Sequence, residues 1–184
     1  MKKEIANQYR ERAREMYKKA NIVITPEESA NIEIVDEGLG EFEKIGLSII
    51  TYVNTDYYCA KEMVLFPFQT CPEHTHKPMP EIGYMGKQET FRCRYGKVFL
   101  YVEGEAVANP KCKAPEGSEQ YFTVWNEIEL NPGEQYTIAP DTLHWFQAGP
   151  NGAVISEFST TSHDEYDVFT DPRMDRMASM NEEE

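Results

Sequence analysis

Over the first twenty residues, apolar and small side chains recur at spacings of three and four: Ile5, Tyr9, Ala13, Met16, Tyr17 and Ala20, with Lys, Arg and Glu between them. That period predicts an amphipathic helix over residues 2 to about 20, lying on the outside of a core. A second, short helix is expected from Thr25. Pro26 suits the first helical position, and Glu28 stands three residues after Thr25 as in a capping box.

From residue 32 onward the helical period is lost. Short runs rich in Val, Ile, Phe, Tyr and Thr take over, at 32–38, 47–55, 58–66, 89–95, 97–104, 121–130, 134–140, 144–149 and 153–160. They alternate in part between apolar and polar positions and are separated by Gly, Pro, Asn or Asp, which is the signature of strands and turns. Gly96, in particular, is expected to end one strand with a turn before the next begins at Lys97. Because strand follows strand with no helix between, the expected fold is all-β, an antiparallel jelly-roll barrel with short N-terminal helices. The polar stretch 106–120, with two Pro, reads as a surface loop. The expected organisation is a helical segment 1–31 packed on a barrel 32–173, followed by a flexible acidic tail 174–184.

Length and charge narrow the function. A chain of 184 residues can bury one core. Its net charge of -14 disfavours nucleic acid or an anionic membrane as partner, since both are polyanions, and suits a small uncharged substrate. No apolar run approaches the roughly 20 residues that span a bilayer. The N-terminal run MKKEIANQYRERAREMYKK lacks an apolar core followed by a small-residue cleavage site, so cytoplasmic residence is expected. Cys59, Cys71, Cys93 and Cys112 form no CxxC pair and are expected as reduced thiols. A nucleophilic Cys71 would need a free base beside it, and the neighbouring His have another use.

The chain holds only four His, and two of them, His74 and His76, are two residues apart in a β context. Side chains at i and i+2 of a strand share a face, so the two imidazoles can hold one metal ion. Glu89, followed by six residues and Gly96, and the later His144 complete a first shell of three His and one carboxylate suited to a divalent first-row metal. Glu81 is the rival carboxylate, placed in a loop rich in Pro and Gly. Lys87 falls on the same strand face as Glu89, where it is either an ammonium beside the metal or a solvated strand-end charge. Glu157 sits inside the apolar run 153–158, where a carboxylate is either paired and functional or turned to solvent.

These residues carry a family resemblance. The HxH pair, the Glu with its six-residue gap to Gly, and a Pro-containing turn before a later His resemble the two-motif pattern of the cupin superfamily. More narrowly, YVNTDYYCAKEMVLFPFQTCPEHTH, GKQETFRCRYGKVFLYVEGE, TVWNEIELNPGEQYTIAPDTLHWFQAG and the closing FTDPR resemble the bacterial D-lyxose isomerases of the cupin type, over about residues 20 to 173. Two departures from the general cupin pattern stand out. Its usual His-to-Glu spacing would nominate Glu81, and its second motif carries a Gly where this chain reads Pro140-Asp141-Thr142-Leu143-His144. The wording KQETFRCRYG favours Glu89.

The resemblance implies a metal-dependent aldose–ketose isomerase, with Mn2+ as the metal, that interconverts D-lyxose and D-xylulose and also D-mannose and D-fructose. It implies a homodimer, and it favours Lys87 as proton shuttle and Glu157 as base. Tyr101, Trp145, Phe91, Asp171 and Arg173 are then candidate sugar contacts, since sugars stack on aromatic rings and hydrogen-bond to charged groups. Three other readings stay open: an isomerase of phosphorylated sugars, an Fe(II) dioxygenase, and a sugar-binding cupin without turnover. The first is disfavoured because Arg92 and Arg94 alternate with Glu89, Phe91 and Cys93 and should point away from the metal.

Overall fold

The computed structural model describes residues 1–178 of the chain. The predicted first helix is α1 (Lys3–Lys19). Its buried residues are Ala6, Ala13, Met16 and Tyr17, while Ile5, expected on that face, is exposed. The helix stops in a Schellman motif, with Asn21 left-handed at φ 56° and Ile22 N–H bonded to Tyr17 O at 2.9 Å. The predicted capping box opens α2 (Pro26–Ala30): Thr25 N donates to Glu28 Oε2 at 2.7 Å, and Glu28 N donates to Thr25 Oγ1 at 3.1 Å.

Nine strands follow among the described residues: β1 (Glu33–Val35), β2 (Leu47–Asn54), β3 (Cys59–Leu65), β4 (Thr70–Thr75), β5 (Glu89–Val102), β6 (Asn126–Leu130), β7 (Gln135–Ile138), β8 (His144–Ser159) and β9 (Val168–Phe169). All their named pairings are antiparallel. The two long strands β5 and β8 run side by side through two sheets. Their one half (89–95 of β5, 153–159 of β8) lies in the sequence β1-β2-β3-β8-β5-β7, and their other half in β9-β4-β8-β5-β6. The jelly-roll barrel expected from the strand pattern is the fold, with Val35, Leu65, Phe91, Leu100, Phe146 and Ile155 in the core between the sheets.

Gly96 does not end a strand. It sits inside β5 at φ 71°, where the register with β8 jumps from Gly96↔Ala153 to Val98↔Ala148. Residues 149–152, expected as a turn between two strands, are the matching bulge inside β8. A Cβ on Gly96 would lie 1.9 Å from Gly152 O, so only Gly lets the two strands bend together here.

On the outside, Tyr17 of α1 donates to Glu62 O at 2.9 Å and packs with Ile50, Val64 and Val154. The 106–120 loop is not a free surface loop. With the following residues it covers the outer face of the second sheet, where Cys112 and Phe122 pack on Phe99, Tyr101 and Trp145. Of the run 121–130 expected as a strand, only β6 is one; residues 119–121 form a 3-10 turn instead. The expected tail is bound where it is described, since Asp175 N donates to Glu37 O at 2.9 Å and Arg176 pairs with Glu33 at 2.5 Å. Residues 179–184 of that tail lie outside the described residues. No helix among the described residues is long and apolar enough to cross a membrane.

The bend makes a testable demand. Gly133, at φ 92° with open space around it, isolates the conformational cost, so Gly133→Ala should lower stability by about 1 kcal/mol in urea unfolding. Gly96→Ala adds a backbone clash and should cost roughly twice that or more. Equal losses would show that the strands bend without needing Gly96.

Candidate active site

β4 pairs with β8 so that His74 stands opposite His144, and its strand face continues to His76. The three rings gather at centroid distances of 4.8, 4.3 and 5.5 Å. Their ligand-capable atoms all lie within 4.8 Å of one another. Each Nδ1 is already committed: His74 to Pro72 O at 2.8 Å, His76 to Asp167 Oδ1 at 2.5 Å and His144 to Thr142 O at 2.9 Å. This fixes each ring and leaves Nε2 for the centre of the cluster.

Glu89 enters from β5. Its Oε1 lies 2.9 Å from His144 Nε2 and 3.5 Å from His76 Nε2, yet these three buried atoms make no hydrogen bond of acceptable geometry. Buried polar atoms are normally satisfied. Three converging lone-pair donors left over, beside a third imidazole, are what a divalent cation would bind. Burial and the neighbouring His144 and His76 push the His74 pKa well below its usual value, so this ring is neutral and able to ligate. His76 moves the other way, to about 9: burial and Lys87 oppose its charge, but Glu89 and Asp167 outweigh them. Glu81, the rival carboxylate, is exposed in the 3-10 turn Pro80–Ile82.

The other oxygen of Glu89 is held by Lys87, at 2.9 Å from Nζ. The same ammonium lies 2.7 Å from Glu157 Oε1, and all three side chains are at most 4 % exposed. The register explains the meeting. Phe91 of β5 pairs with Glu157 of β8, so Glu89, two residues earlier, shares Glu157's inner face. Burial would lower the Lys87 pKa, but Glu157 and Glu89 drive it well above the ordinary value. The same attraction holds Glu89 well below the carboxylate range, although burial opposes it.

Further groups complete the cavity that sequence reading missed. Lys61, directly opposite Glu157 in the β3–β8 register, donates to Ser162 at 2.9 Å and pairs with Asp164 at 2.5 Å. Burial opposes the charge on Asp164, yet Lys61 and Lys87 keep it far below the usual range. β9 pairs with β4, which brings Asp167 to His76 and places Phe169 opposite His74. Glu37, Arg176 and Cys71 line the same cavity. Burial pushes the Cys71 thiol well up, which removes it as a nucleophile, and all four cysteines are free and buried. Lys61 was the one legible signal, as a charge alternating with the inward Met63 and Leu65.

Four expected sugar contacts lie elsewhere. Tyr101 and Trp145 stack at 4.1 Å on the outer face of the second sheet, both fully buried under the 106–125 segment. Tyr101 Oη donates to Glu127, and Trp145 Nε1 donates to Val124 O. Asp171 and Arg173 bind each other, with Arg173 also donating to Ser118 Oγ at 2.8 Å, and they line no part of the cavity. Phe91 does line it, edge-on to Phe146 at 4.9 Å. Arg92 and Arg94 point away, to Gln135 and Ser156.

The geometry can be set beside known proteins. The D-lyxose isomerase family model matches residues 6–184. The chain is 63% identical over 182 residues to a D-lyxose/D-mannose isomerase of Thermosediminibacter oceani, covering 99% of each. It is 60% identical over 168 residues to a D-lyxose ketol-isomerase of Cohnella laeviribosi, covering 91% of each. Among solved structures, L-ribose isomerase of Cellulomonas parahominis shares the fold at TM-score 0.78 and 16% identity, with 95% of each chain covered. A jelly-roll barrel with a buried His triad, matched along nearly its whole length at this identity, belongs to the D-lyxose isomerase family.

Proposed function

We propose that the chain is a metal-dependent aldose–ketose isomerase that interconverts D-lyxose and D-xylulose, and D-mannose and D-fructose, with Mn2+ as its metal. The observation that carries this reading is the ammonium of Lys87 clasped between Glu89, whose free oxygen faces the His cluster, and Glu157. The names of the two relatives support the sugar.

His74, His76, His144 and Glu89 would hold the cation, which when bound would supply Lewis acidity toward the hydroxyl and carbonyl oxygens of the sugar. Glu157, held beside Lys87 at 2.7 Å, takes the proton from C2 of the aldose. The proton on O2 passes to O1, and the proton held by Glu157 is delivered to C1, giving the ketose with one C–H bond broken and one formed. Lys87 positions Glu157 and opposes the negative charge that develops on the enediolate oxygens. Asp167 and the carbonyls of Pro72 and Thr142 keep the three rings in the ligating tautomer.

Charge favours an unphosphorylated sugar. The cavity is lined by Glu37, Glu89, Glu157, Asp164 and Asp167 against the cations Lys61, Lys87 and Arg176. Each of these cations already has a carboxylate partner, so a phosphate dianion would meet net repulsion. Four free, buried thiols suit a reducing cytoplasm. Tyr52 and Phe158, exposed on strands of the first sheet, suit burial in a homodimer.

Three outcomes test the proposal. Dialysis against a strong chelator should abolish conversion of D-lyxose, and Mn2+ should restore it; full activity without metal would sink the metal assignment. Glu157→Gln should lower kcat by about 10²–10⁴-fold with metal content unchanged by elemental analysis. His74→Ala should lose the metal itself. A Glu157→Gln protein with near-normal kcat would remove Glu157 as the base.

A further inference from the structure

Glu37 is buried, at 3 % exposure, yet it takes no part in the metal cluster or the Lys87 clasp. Its backbone is left-handed at φ 51°, a conformation that L side chains longer than Asn or Asp rarely accept. Gly38 follows at φ 75°, and Leu39 N closes on Asp36 O at 3.0 Å, so Glu37 occupies a corner of a tight turn where Gly or Asn would be at ease. The turn is braced by Asp36 Oδ1, which accepts from Gly38 N at 3.1 Å, and by the Asp175 N–H on Glu37 O. Strain held this firmly usually serves a function.

The side chain gives the reason. Glu37 Oε2 is buried without a hydrogen-bond partner, and so is Nη1 of Arg176. Both residues line the cavity. The charges acting most on Glu37 are Arg176, Asp167, Asp164 and Glu33, which sets it apart from the Lys87–Glu157 pair. Arg176 is fixed by its bond to Glu33 Oε1, so its free N–H has a set direction. A sugar hydroxyl both donates and accepts, and it would satisfy both orphaned atoms at once.

We propose that Glu37, with Arg176 beside it, is a specificity-determining residue that binds a hydroxyl on C4 or C5 of the open-chain sugar while C1 and C2 react at the other end. The assignment rests on the isomerase reading above. Burial raises the Glu37 pKa to about 8, with Arg176 opposing, so the carboxyl keeps a proton near neutral pH and offers a donor as well as an acceptor. Glutamine has the same shape and the same two capacities, which makes Glu37→Gln the conservative replacement.

The experiment compares kcat/KM for D-lyxose, 4-deoxy-D-lyxose and 5-deoxy-D-lyxose in the wild-type protein and in Glu37→Gln, Glu37→Leu and Glu37→Gly. The wild type should prefer D-lyxose to one deoxy sugar by tenfold or more, on the order of what an unmade buried hydrogen bond costs. Glu37→Leu and Glu37→Gly should lose that preference, and Glu37→Gln should keep it within a few-fold. Glu37→Gly relaxes the turn, so its thermal midpoint should hold or rise while the preference falls; this keeps the test open if Glu37→Leu folds poorly. D-Arabinitol, the reduced form of the sugar, should bind the wild type more tightly than Glu37→Gly in calorimetry. If Glu37→Leu or Glu37→Gly loses equally on all three sugars, Glu37 is only a structural residue and the assignment is overturned. If the wild type neither converts D-lyxose nor binds D-arabinitol, the isomerase reading fails first and this assignment falls with it.

Discussion

Glu89 and Glu157 stand on the same inner face of adjacent strands, both essentially out of contact with water. Two bare carboxylates in such a place would cost several kcal/mol each in lost hydration and would repel one another. The Lys87 ammonium between them, at 2.9 and 2.7 Å, removes most of that cost, and the remaining oxygen of Glu89 is turned to the three imidazoles. Every other part of the site follows from keeping this arrangement dry and in register. The β5–β8 pairing sets the two carboxylates side by side, β4 brings two histidines up to them, and β9 closes the edge with Asp167.

That clasp divides the labour among groups that would otherwise compete. Glu89 cannot act as a free base, because one oxygen is given to Lys87 and the other to the His cluster. Glu157 has a single charged neighbour within 3 Å, Lys87, on one of its two oxygens. Lys61 and Asp164 form a second pair, which Lys87 also reaches at 3.9 Å from Asp164, and it neutralises the flank of the cavity. The outcome is a cavity with charges on its walls and no spare cation for a phosphate, in keeping with a chain of net charge -14.

The parts of this that could be read from sequence are those that obey a local period. The HxH spacing found two members of the triad, with His144 added as a distant histidine, alternation placed Lys87 beside Glu89, and the Thr25–Glu28 capping box was visible outright. Tyr101 was misplaced for a physical reason. Its selection rested on ring chemistry, with no strand face assigned. The register shift between Cys93 and Tyr95 makes Arg94 an extra residue, so the inward face passes from Glu89, Phe91 and Cys93 to Val98, Leu100 and Val102, and Tyr101 points outward. Trp145, opposite Tyr101 in register, turns outward with it. Asp164, Asp167, Glu37 and Arg176 come from turns and from the chain end, where no period exists to show which way a side chain points. Glu37 left one trace, a non-glycine residue before Gly38 in a tight turn, and its strain became legible only with the backbone in hand.

The central claim is that a proton is carried between C2 and C1 by a buried carboxylate whose place is fixed by Lys87. Turnover of D-lyxose by the metal-loaded protein in deuterium oxide, followed by NMR over many turnovers, tests it most directly. The account predicts deuterium at C1 of the D-xylulose formed and at C2 of the D-lyxose recovered at equilibrium, because a proton on Glu157 exchanges with solvent in a fraction of its cycles. Sustained conversion with no deuterium at either carbon would mean that hydrogen moves directly between the two carbons, and would contradict the account.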